Sequence, residues 1–492
     1  MDRRTFVKSA AGALGSLALP SGKAQTETGV SGAKRPPNVV LILPDEWRAQ
    51  ALGCMGNTDV RTPHLDRMAS EGVLLRNTLA NTPVCCPARA NILTGTYTSR
   101  NGMIANDLRL KEEILTMADH FSDAGYRTAY VGKWHLDGGP RLPGFVPPGR
   151  RRHGFQFWAA NECNHNYFHN WYFRDENVPI ETDEYEPVFW TQLAIEFLYE
   201  SQDKPFFLMM SPGAPHDPYQ APEKYLEMYD PQKLTMEPNW VEGTRGAGRN
   251  EIAAYYAAIT AIDDQVGTLL ETLRELHLED NTIVLFSSDH GNMLGSQGKI
   301  LKRKPWEESI RVPGIMRCPG MIPSGRKSDA LFSHVDFAPT LLSLCGLPVP
   351  KEMQGTNQST VITGKTEKGS AAVYFQIFGP YHAGGVESAW RGIRTDRYMY
   401  ARREAGPWVF YDLENDPYEK HNLVDDPTAS AVMHGLDKDL LDWMGRAGDS
   451  WSLDWTAPIE DGASLYSYRT FYTVPQYLAW ARAHPQLAPG IQ

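Results

Sequence analysis

Acids, histidines and a lysine stand directly after four short apolar runs of this sequence. They are Asp45 and Glu46 after the first run, Lys133 and His135 after the second, His216 after the third, and Asp289 and His290 after the fourth. Carboxylate oxygens are the ligands that a hard divalent cation prefers, and an imidazole nitrogen can complete such a site. One acid at a strand end is usually a helix cap. Four such groups in succession instead favour an active site that holds a metal ion.

The four apolar runs, 38–43, 126–131, 205–210 and 282–286, have the length and composition of strands that are buried on both faces. Helix-like stretches separate them. The clearest is 251–276, where apolar residues recur every three or four positions. Strands that alternate with helices predict an α/β fold with a largely parallel central sheet. Ligands of such sheets bind beyond the carboxyl ends of the strands, so we expect the polar groups to meet along one edge.

The pattern changes after about residue 370. Short strand candidates at 373–378, 392–395, 398–401 and 408–413 are separated by turns, which predicts a smaller C-terminal subdomain with an antiparallel sheet. The predicted division of the chain is an export signal (1–24), a linker (25–36), a catalytic domain (37–370) and the C-terminal subdomain (371–492).

The 492 residues carry a formal net charge of −11, with 42% hydrophobic and 22% charged residues. This balance is typical of a soluble globular protein. Proteins that bind nucleic acids usually present a basic surface, so we expect no nucleic-acid partner for this acidic chain. Beyond the first 24 residues, no apolar run reaches the ~20 residues that a membrane-spanning helix needs, and we expect no membrane span.

The first 24 residues resemble a twin-arginine export signal. Arg3 and Arg4 precede an apolar stretch at 10–19, and small residues before and at Ala24 offer a cleavage site. The apolar stretch is too short to span a bilayer. We therefore expect a periplasmic or secreted protein whose mature chain begins after Ala24.

A second group of reactive residues begins at the adjacent cysteines Cys85 and Cys86. Segment 85–95 reads Cys-Cys-Pro-Ala-Arg-Ala-Asn-Ile-Leu-Thr-Gly. A disulfide, a zinc site and core packing are alternatives for the two thiols, but no CxxC pair or zinc-like histidine spacing surrounds them. The Cys-x-Pro-x-Arg pattern followed by Leu-Thr-Gly resembles the signature of type I sulfatases of the alkaline phosphatase superfamily.

Further matches to that family follow in the same order along most of the chain. They are Gly132-Lys133-Trp134-His135, Pro215-His216, Asp289-His290-Gly291, Lys302, Glu307 to Pro313, Asp336 to Thr340 and Tyr411 to Pro417. The resemblance implies an alkaline-phosphatase-like α/β/α sandwich. It also implies an enzyme that hydrolyses a sulfate monoester.

By this resemblance, a formylglycine-generating maturation enzyme converts Cys85 to formylglycine. The hydrated aldehyde is the nucleophile, and it ionises more easily beside a divalent cation. Sulfate transfer gives a sulfoenzyme intermediate, and the second hydroxyl then collapses this adduct and ejects sulfate. The family implies one cation, Ca²⁺, with magnesium and manganese as alternatives. The implied ligands are Asp45, Glu46, Cys85, Asp289 and His290.

The resemblance also implies roles for the basic residues. Arg89 would orient the formylglycine hydroxyls, Lys133 would flank the nucleophile, and His135 would be the base that collapses the adduct. Lys302 and His216 would contact the sulfate, with His216 as general acid beside the leaving oxygen. Alternatively, His135 and His216 are core histidines whose hydrogen bonds are satisfied within the protein. Lys302 is alternatively one member of a solvent-exposed basic run.

Two positions depart from the family pattern. Glu46 stands where a second Asp or an amide is usual, so its longer side chain ligates in a different geometry or not at all. His290 stands where Asn is also frequent.

Substrate information is confined to segment 161–171, which is rich in amides, histidines and aromatic residues. It is either a glycan-facing loop or a structural loop that covers the sheet. We expect a sulfated small molecule or saccharide as substrate, a carbohydrate before a simple aryl ester. A phosphodiesterase or phosphonate monoester hydrolase on the same scaffold, and a non-catalytic glycan-binding protein, are the alternatives.

Overall fold

The computed structural model describes residues 35–106, 108–138, 144–378 and 389–451. The predicted export signal, and the linker up to residue 34, lie outside the described residues. In chain order the strands are β1 (Asn38–Ile42), β2 (Val73–Leu79), β3 (Arg127–Lys133), β4 (Phe157–Asn161), β5 (Asn170–Tyr172), β6 (Ile180–Thr182), β7 (Phe206–Ser211), β8 (Thr282–Phe286), β9 (Arg311–Val312), β10 (Ile315–Arg317), β11 (Arg326–Ser333), β12 (Val373–Ile377), β13 (Trp390–Arg394), β14 (Tyr398–Arg403) and β15 (Gly406–Asp412).

The α-helices of the described ranges vary from single turns to 27 residues. They are α1 (Pro63–Ser70), α2 (Cys85–Thr94), α3 (Thr98–Asn101), α4 (Met117–Asp123), α5 (Glu186–Tyr199), α6 (Glu223–Leu226), α7 (Arg249–Glu275), α8 (Glu307–Ile310), α9 (His334–Leu344), α10 (Ser359–Ile362) and α11 (Ser430–Ala447). Within these ranges, no helix is both long enough and apolar enough to cross a lipid bilayer.

Nine of the described strands form one central sheet, in the order β11-β2-β10-β8-β1-β7-β3-β4 with β9 paired to β2. The strands from β8 to β4 run parallel, whereas β10 and β9 pair antiparallel with their neighbours. The four predicted strands are confirmed as β1, β3, β7 and β8, within two residues at each end. They are direct neighbours in the order β8-β1-β7-β3, which brings their carboxyl ends together.

Helices cover both faces of the central sheet. Val40 and Ile42 of β1 pack in the apolar cluster that contains α5 and α7. Val39 and Leu41, which point to the other face, pack in the cluster that contains α2, α4 and α9. Burial on both faces explains why β1 is uniformly apolar rather than alternating. The predicted α/β/α sandwich is confirmed, and the predicted helix at 251–276 is α7.

A second sheet lies after residue 372, as predicted. Strands β12 to β15 pair antiparallel in chain order, and α11 packs on one face through Leu436, Leu440 and Met444. The boundary at residue 370 stays a prediction.

A buried ion pair joins Asp449, the second residue after α11, to this second sheet. Arg391 binds Asp449 through two guanidinium nitrogens, one of them at 2.8 Å. Tyr374 and Gln376 each donate a hydrogen bond of 2.7 Å to the same carboxylate. Both charged side chains are shielded from water, so neither can lose its partner without a large cost.

We expect Asp449→Ala to lower the free energy of unfolding by about 3–5 kcal/mol, because Arg391 would stay buried without a counter-charge. Urea denaturation measures this change. Glu414→Ala is the matched control, since Glu414 pairs with Arg397 where both side chains are largely exposed and water screens the pair. Equal midpoints for the two variants would contradict the prediction.

Candidate active site

The residues predicted from the four strand ends lie together at the carboxyl edge of the central sheet. Asp45 and Glu46 follow β1, Lys133 ends β3 and precedes His135, His216 follows β7, and Asp289 and His290 follow β8. Helix α2 contributes Cys85 and Arg89, and the segment before α8 contributes Lys302. All ten side chains are buried. The structure therefore brings the whole predicted set into one cluster, while the role of each member stays a prediction.

Cys85 is the first residue of α2, at the end of the helix where backbone N–H groups lack intrahelical partners. Its Sγ lies 3.3 Å from Nε2 of His290 and 3.9 Å from Oδ1 of Asp45. Burial raises the pKa of this thiol, but nearby cations, led by Lys133 and Lys302, lower the pKa well below the usual value. The position thus favours an anionic nucleophile and an anionic substrate.

Four ligand atoms surround a point suited to a metal ion. One atom each from Asp45, Cys85, Asp289 and His290 lies within 4.8 Å of all the others. His290 donates from Nδ1 to the carbonyl of Gly291 at 3.0 Å, which leaves Nε2 facing the two carboxylates.

The charges of this site also fit a divalent cation. Burial and the Asp45 carboxylate raise the pKa of Asp289. Burial would raise the pKa of Asp45 as well, but neighbouring cations, Lys133 foremost, hold it below its ordinary value. Two carboxylates buried this close repel each other, and a cation between them relieves that repulsion. Two of the four donor atoms are carboxylate oxygens, the ligands that calcium and magnesium prefer.

Glu46 lies close to Asp45 and contacts two of the basic residues of the cluster. Its Oε2 lies 2.8 Å from Nζ of Lys302 and 2.9 Å from Nε2 of His216. Its Oε1 is buried and finds no hydrogen-bond partner in the part of the chain that the structure describes. Burial raises the pKa of Glu46, but His216 and Lys302 lower it to about 2. One oxygen is therefore committed to the two basic side chains, and the other is available to a cation.

Arg89 links Asp45 and Asp289 to the sheet. Its guanidinium lies 3.3 Å from Oδ2 of Asp45 and 3.1 Å from Oδ2 of Asp289. The remaining nitrogen donates to the carbonyl of Lys133 at 2.8 Å and to Oγ of Ser211 at 2.7 Å. The side chain is fully buried, so its charge balances the carboxylates rather than solvent anions.

Lys133, Lys302 and His216 supply positive charge around the nucleophile. Nζ of Lys133 makes a very close contact with Oδ2 of Asp45, and Nζ of Lys302 lies 2.7 Å from Nε2 of His216. Burial lowers the pKa of His216, but Glu46 outweighs it and raises the pKa to about 9. Lys302 lies in the buried cluster and not in a solvated run.

Two site residues have backbone conformations that side chains rarely adopt. Glu46 has φ of 65° and His135 has φ of 58°, each a cost of about 1–3 kcal/mol that surrounding contacts must offset. His135 lies close to Cys85 and Cys163 and lowers the pKa of both thiols. Such backbone strain is common at functional sites.

Several supporting residues were not predicted. Oγ of Ser288 accepts a hydrogen bond from the amide of Trp47 at 2.9 Å and donates to the carbonyl of Pro44 at 2.8 Å, which ties two site loops together. The Tyr255 hydroxyl donates to the carbonyl of Glu46 at 2.9 Å. His334 binds the carbonyl of Ser288 at 3.0 Å. No local sequence pattern marks these contacts, because each joins positions that are distant in the chain.

Segment 161–171 is mainly structural. Its amides bond to one another: Nδ2 of both Asn161 and Asn164 donates to Oδ1 of Asn170, at 3.2 and 2.7 Å. Tyr167 of this segment is fully buried. His165 differs from these structural residues, because its ring lies against the ring of His216.

No disulfide joins the six cysteines of the chain, all of which lie in described ranges.

Family comparisons agree with this architecture. Residues 37–347 match the family model described as Sulfatase, and residues 295–445 match the one described as the C-terminal part of N-sulphoglucosamine sulphohydrolase. An ulvan-active sulfatase of Formosa agariphila is 39% identical over 420 residues, which cover 84% of this chain and 82% of the relative. An endo-4-O-sulfatase of Bacteroides thetaiotaomicron is 29% identical over 476 residues, which cover 84% of this chain and 93% of that protein.

Solved structures show the same fold. A crystal structure of a Bacteroides fragilis protein named sulfatase yidJ has a TM-score of 0.79 and 30% identity, covering 86% of this chain and 98% of its own. A protein solved with its substrate D-glucosamine-2-N,6-O-disulfate has a TM-score of 0.76 and 25% identity, covering 87% and 100%. A phosphonate monoester hydrolase of Agrobacterium radiobacter, at 24% identity and a TM-score of 0.70, shares the fold. The chain belongs to the type I sulfatases of the alkaline phosphatase superfamily and is a sulfuric ester hydrolase.

Proposed function

We propose that this sulfatase is exported, and that it hydrolyses a sulfate monoester of a carbohydrate with a formylglycine made from Cys85. The observation that supports this proposal most directly is the position of Cys85. This residue begins a buried helix, and its sulfur lies 3.3 Å from Nε2 of His290 and 3.9 Å from Oδ1 of Asp45. A nucleophile there is adjacent to the cation site and surrounded by basic side chains.

Asp45, Asp289, His290 and the Cys85 position would hold one divalent cation, Ca²⁺ by family resemblance. Glu46, which lies close to Asp45 and His216 and has a buried Oε1 without a partner among the described residues, is the proposed further ligand. When both groups are present, the cation polarises the sulfate oxygens and the hydrated formylglycine supplies a nucleophile whose second hydroxyl permits later release of sulfate. Arg89 keeps the acids in place by bonding to two of them at once.

The basic residues divide the remaining tasks. Lys133 and Lys302 stabilise negative charge on the sulfate oxygens as it develops in the transition state. His216 lies beside Lys302, and in its protonated form it protonates the leaving oxygen. His135 contacts the nucleophile position and can accept the proton whose removal releases sulfate.

The carbohydrate substrate is supported by the relatives. One is named for activity on ulvan, another for endo-4-O-sulfatase activity, and a structural neighbour holds a disulfated glucosamine as its substrate. Export is supported by the arginine pair and apolar stretch at the N-terminus. A formylglycine-generating enzyme is the maturation partner that Cys85 requires.

A variant of Glu46 tests cation binding independently of sulfate hydrolysis. We expect Glu46→Gln to weaken Ca²⁺ binding by about 10-fold or more, since even residues that only support metal ligands contribute 10–100-fold. Isothermal titration of chelator-treated protein measures the change. Glu237→Gln is the control, because Glu237 pairs with Arg48 outside the cluster. Unchanged affinity in Glu46→Gln would show that this residue serves only Lys302 and His216.

The experiment for the proposed function is a screen of defined sulfated mono- and oligosaccharides, with protein coexpressed with a formylglycine-generating enzyme. We expect sulfate release that depends on a divalent cation, and faster cleavage of 4-nitrophenyl sulfate than of a 4-nitrophenyl phosphodiester or phosphonate monoester. The reverse preference would reject the proposal. Mass spectrometry of the peptide that contains Cys85 should show the aldehyde or its hydrate.

A further inference from the structure

The imidazole ring of His165 lies on the ring of His216. The two ring centroids are 4.1 Å apart and the planes are inclined by 33°. His216 is tied to its own loop through Nδ1, which lies 2.8 Å from the carbonyl of Asp217, and its Nε2 faces Lys302 at 2.7 Å. A ring packed on its face limits rotation of His216, because side-chain rotamers are fixed by what packs against them.

His165 is itself held from behind. Its Nε2 lies 3.3 Å from Sγ of Cys163, which is buried and also hydrogen-bonds to His135. His165 is therefore held on one side by Cys163 and packs with its ring against His216 on the other.

The loops that carry the two histidines are bonded to each other. The Tyr167 hydroxyl donates to the carbonyl of His216 at 2.7 Å. The Glu186 carboxylate accepts from the amides of Gly213 and Ala214 at 2.8 and 3.1 Å, and the Glu186 amide donates to the carbonyl of Tyr167 at 2.8 Å. Because both loops share these bonds, the contact between His165 and His216 is built into the fold.

We propose that His165 is a positioning residue for protonation of the leaving group: its ring holds the His216 imidazole so that the proton is delivered to the ester oxygen. This inference rests on the proposed function, in which His216 is the general acid. As the nucleophile bonds to sulfur, the bond from sulfur to the leaving oxygen breaks, and the proton of His216 passes to that oxygen. His216 later regains a proton from water.

Dependence on the leaving group distinguishes positioning from general support of the fold. A phenolate with a low pKa, such as 4-nitrophenolate, leaves without a proton, whereas unsubstituted phenol or a sugar alcohol needs one. Loss of correct His216 orientation should therefore slow poor leaving groups far more than good ones. A merely structural defect would slow both by the same factor.

The test compares His165→Ala and His165→Phe on 4-nitrophenyl sulfate and phenyl sulfate. For His165→Ala we expect kcat/KM to fall about 10-fold or more on phenyl sulfate and less than about 3-fold on 4-nitrophenyl sulfate. The upper limit of the loss is the roughly 10²–10⁴-fold that a general acid contributes. His165→Phe keeps a ring on His216 and should restore most of the loss. In a His216→Ala background, His165→Ala should change neither rate further.

His169→Ala is the matched control on the same loop, since His169 is exposed and pairs with Asp183 at 2.7 Å; we expect wild-type rates on both substrates. Equal losses on the two esters, no loss at all, or a phenylalanine variant as poor as the alanine variant would each overturn the inference. The substrate preference of the wild-type protein shows separately whether the proposed function itself is wrong. If that protein prefers phosphonate monoesters, the same pair of leaving groups on phosphonates still decides the role of His165.

Discussion

Cys85→Ala should lose all measurable sulfate release while keeping the fold. Removing a covalent nucleophile costs about 10⁴–10⁶-fold in rate, because no other side chain in the cluster can be sulfated and then released. The variant removes a small buried side chain at the first residue of α2, so we expect a thermal unfolding midpoint close to that of the wild type. Sulfate release is measured by ion chromatography with the saccharide that the wild-type protein cleaves best.

The neighbouring residue provides the control for this variant. Cys86 is also buried, but it packs in an apolar cluster that includes Ile92 and Phe337. Cys86→Ala should keep most of the activity and lose some stability, the reverse of the result expected at Cys85. Activity that survives in Cys85→Ala, or that disappears equally in Cys86→Ala, would contradict the assignment of the nucleophile.

Arg89→Met should lower both stability and activity. The variant leaves Asp45 and Asp289 buried without the Arg89 guanidinium that contacts both. Breaking a buried ion pair in this way typically costs about 3–5 kcal/mol. We expect kcat/KM to fall by about 10²-fold or more, since the displaced carboxylates no longer hold the cation and the nucleophile in place. Urea denaturation and steady-state kinetics measure the two effects.

Arg152→Met is the matched control, because Arg152 is equally buried but its carboxylate partner, Asp175, is largely exposed. It should cost less stability and leave the rate constants unchanged. Arg89→Lys separates charge from geometry: a lysine keeps the charge but cannot contact two acids and the Lys133 carbonyl at once. We expect it to fold and to stay slow. Wild-type activity in either Arg89 variant would show that the guanidinium is not needed for the site.

Local sequence patterns predicted the centre of the sheet well and its margin poorly. Strands β1 and β8 are continuous apolar runs because both of their faces are buried, and that pattern is visible without any knowledge of the fold. Strands β2 and β11 are interrupted by polar residues, such as the exposed Arg76 and Asp329, which form an ion pair with each other. Pairing of β2 with β11 joins residues about 250 positions apart, and no local pattern records such a partner.

The sequence by itself determined which residues could form the site, because the residue types after each strand and the order of the motifs are local properties. Only the tertiary structure decided their partners. Glu46, which has a left-handed backbone, contacts Lys302 through its carboxylate, and a loop from another part of the chain sets His165 on His216. These contacts depend on distances between residues far apart in the chain. Such distances exist only after the sheet, the helices and the loops have packed.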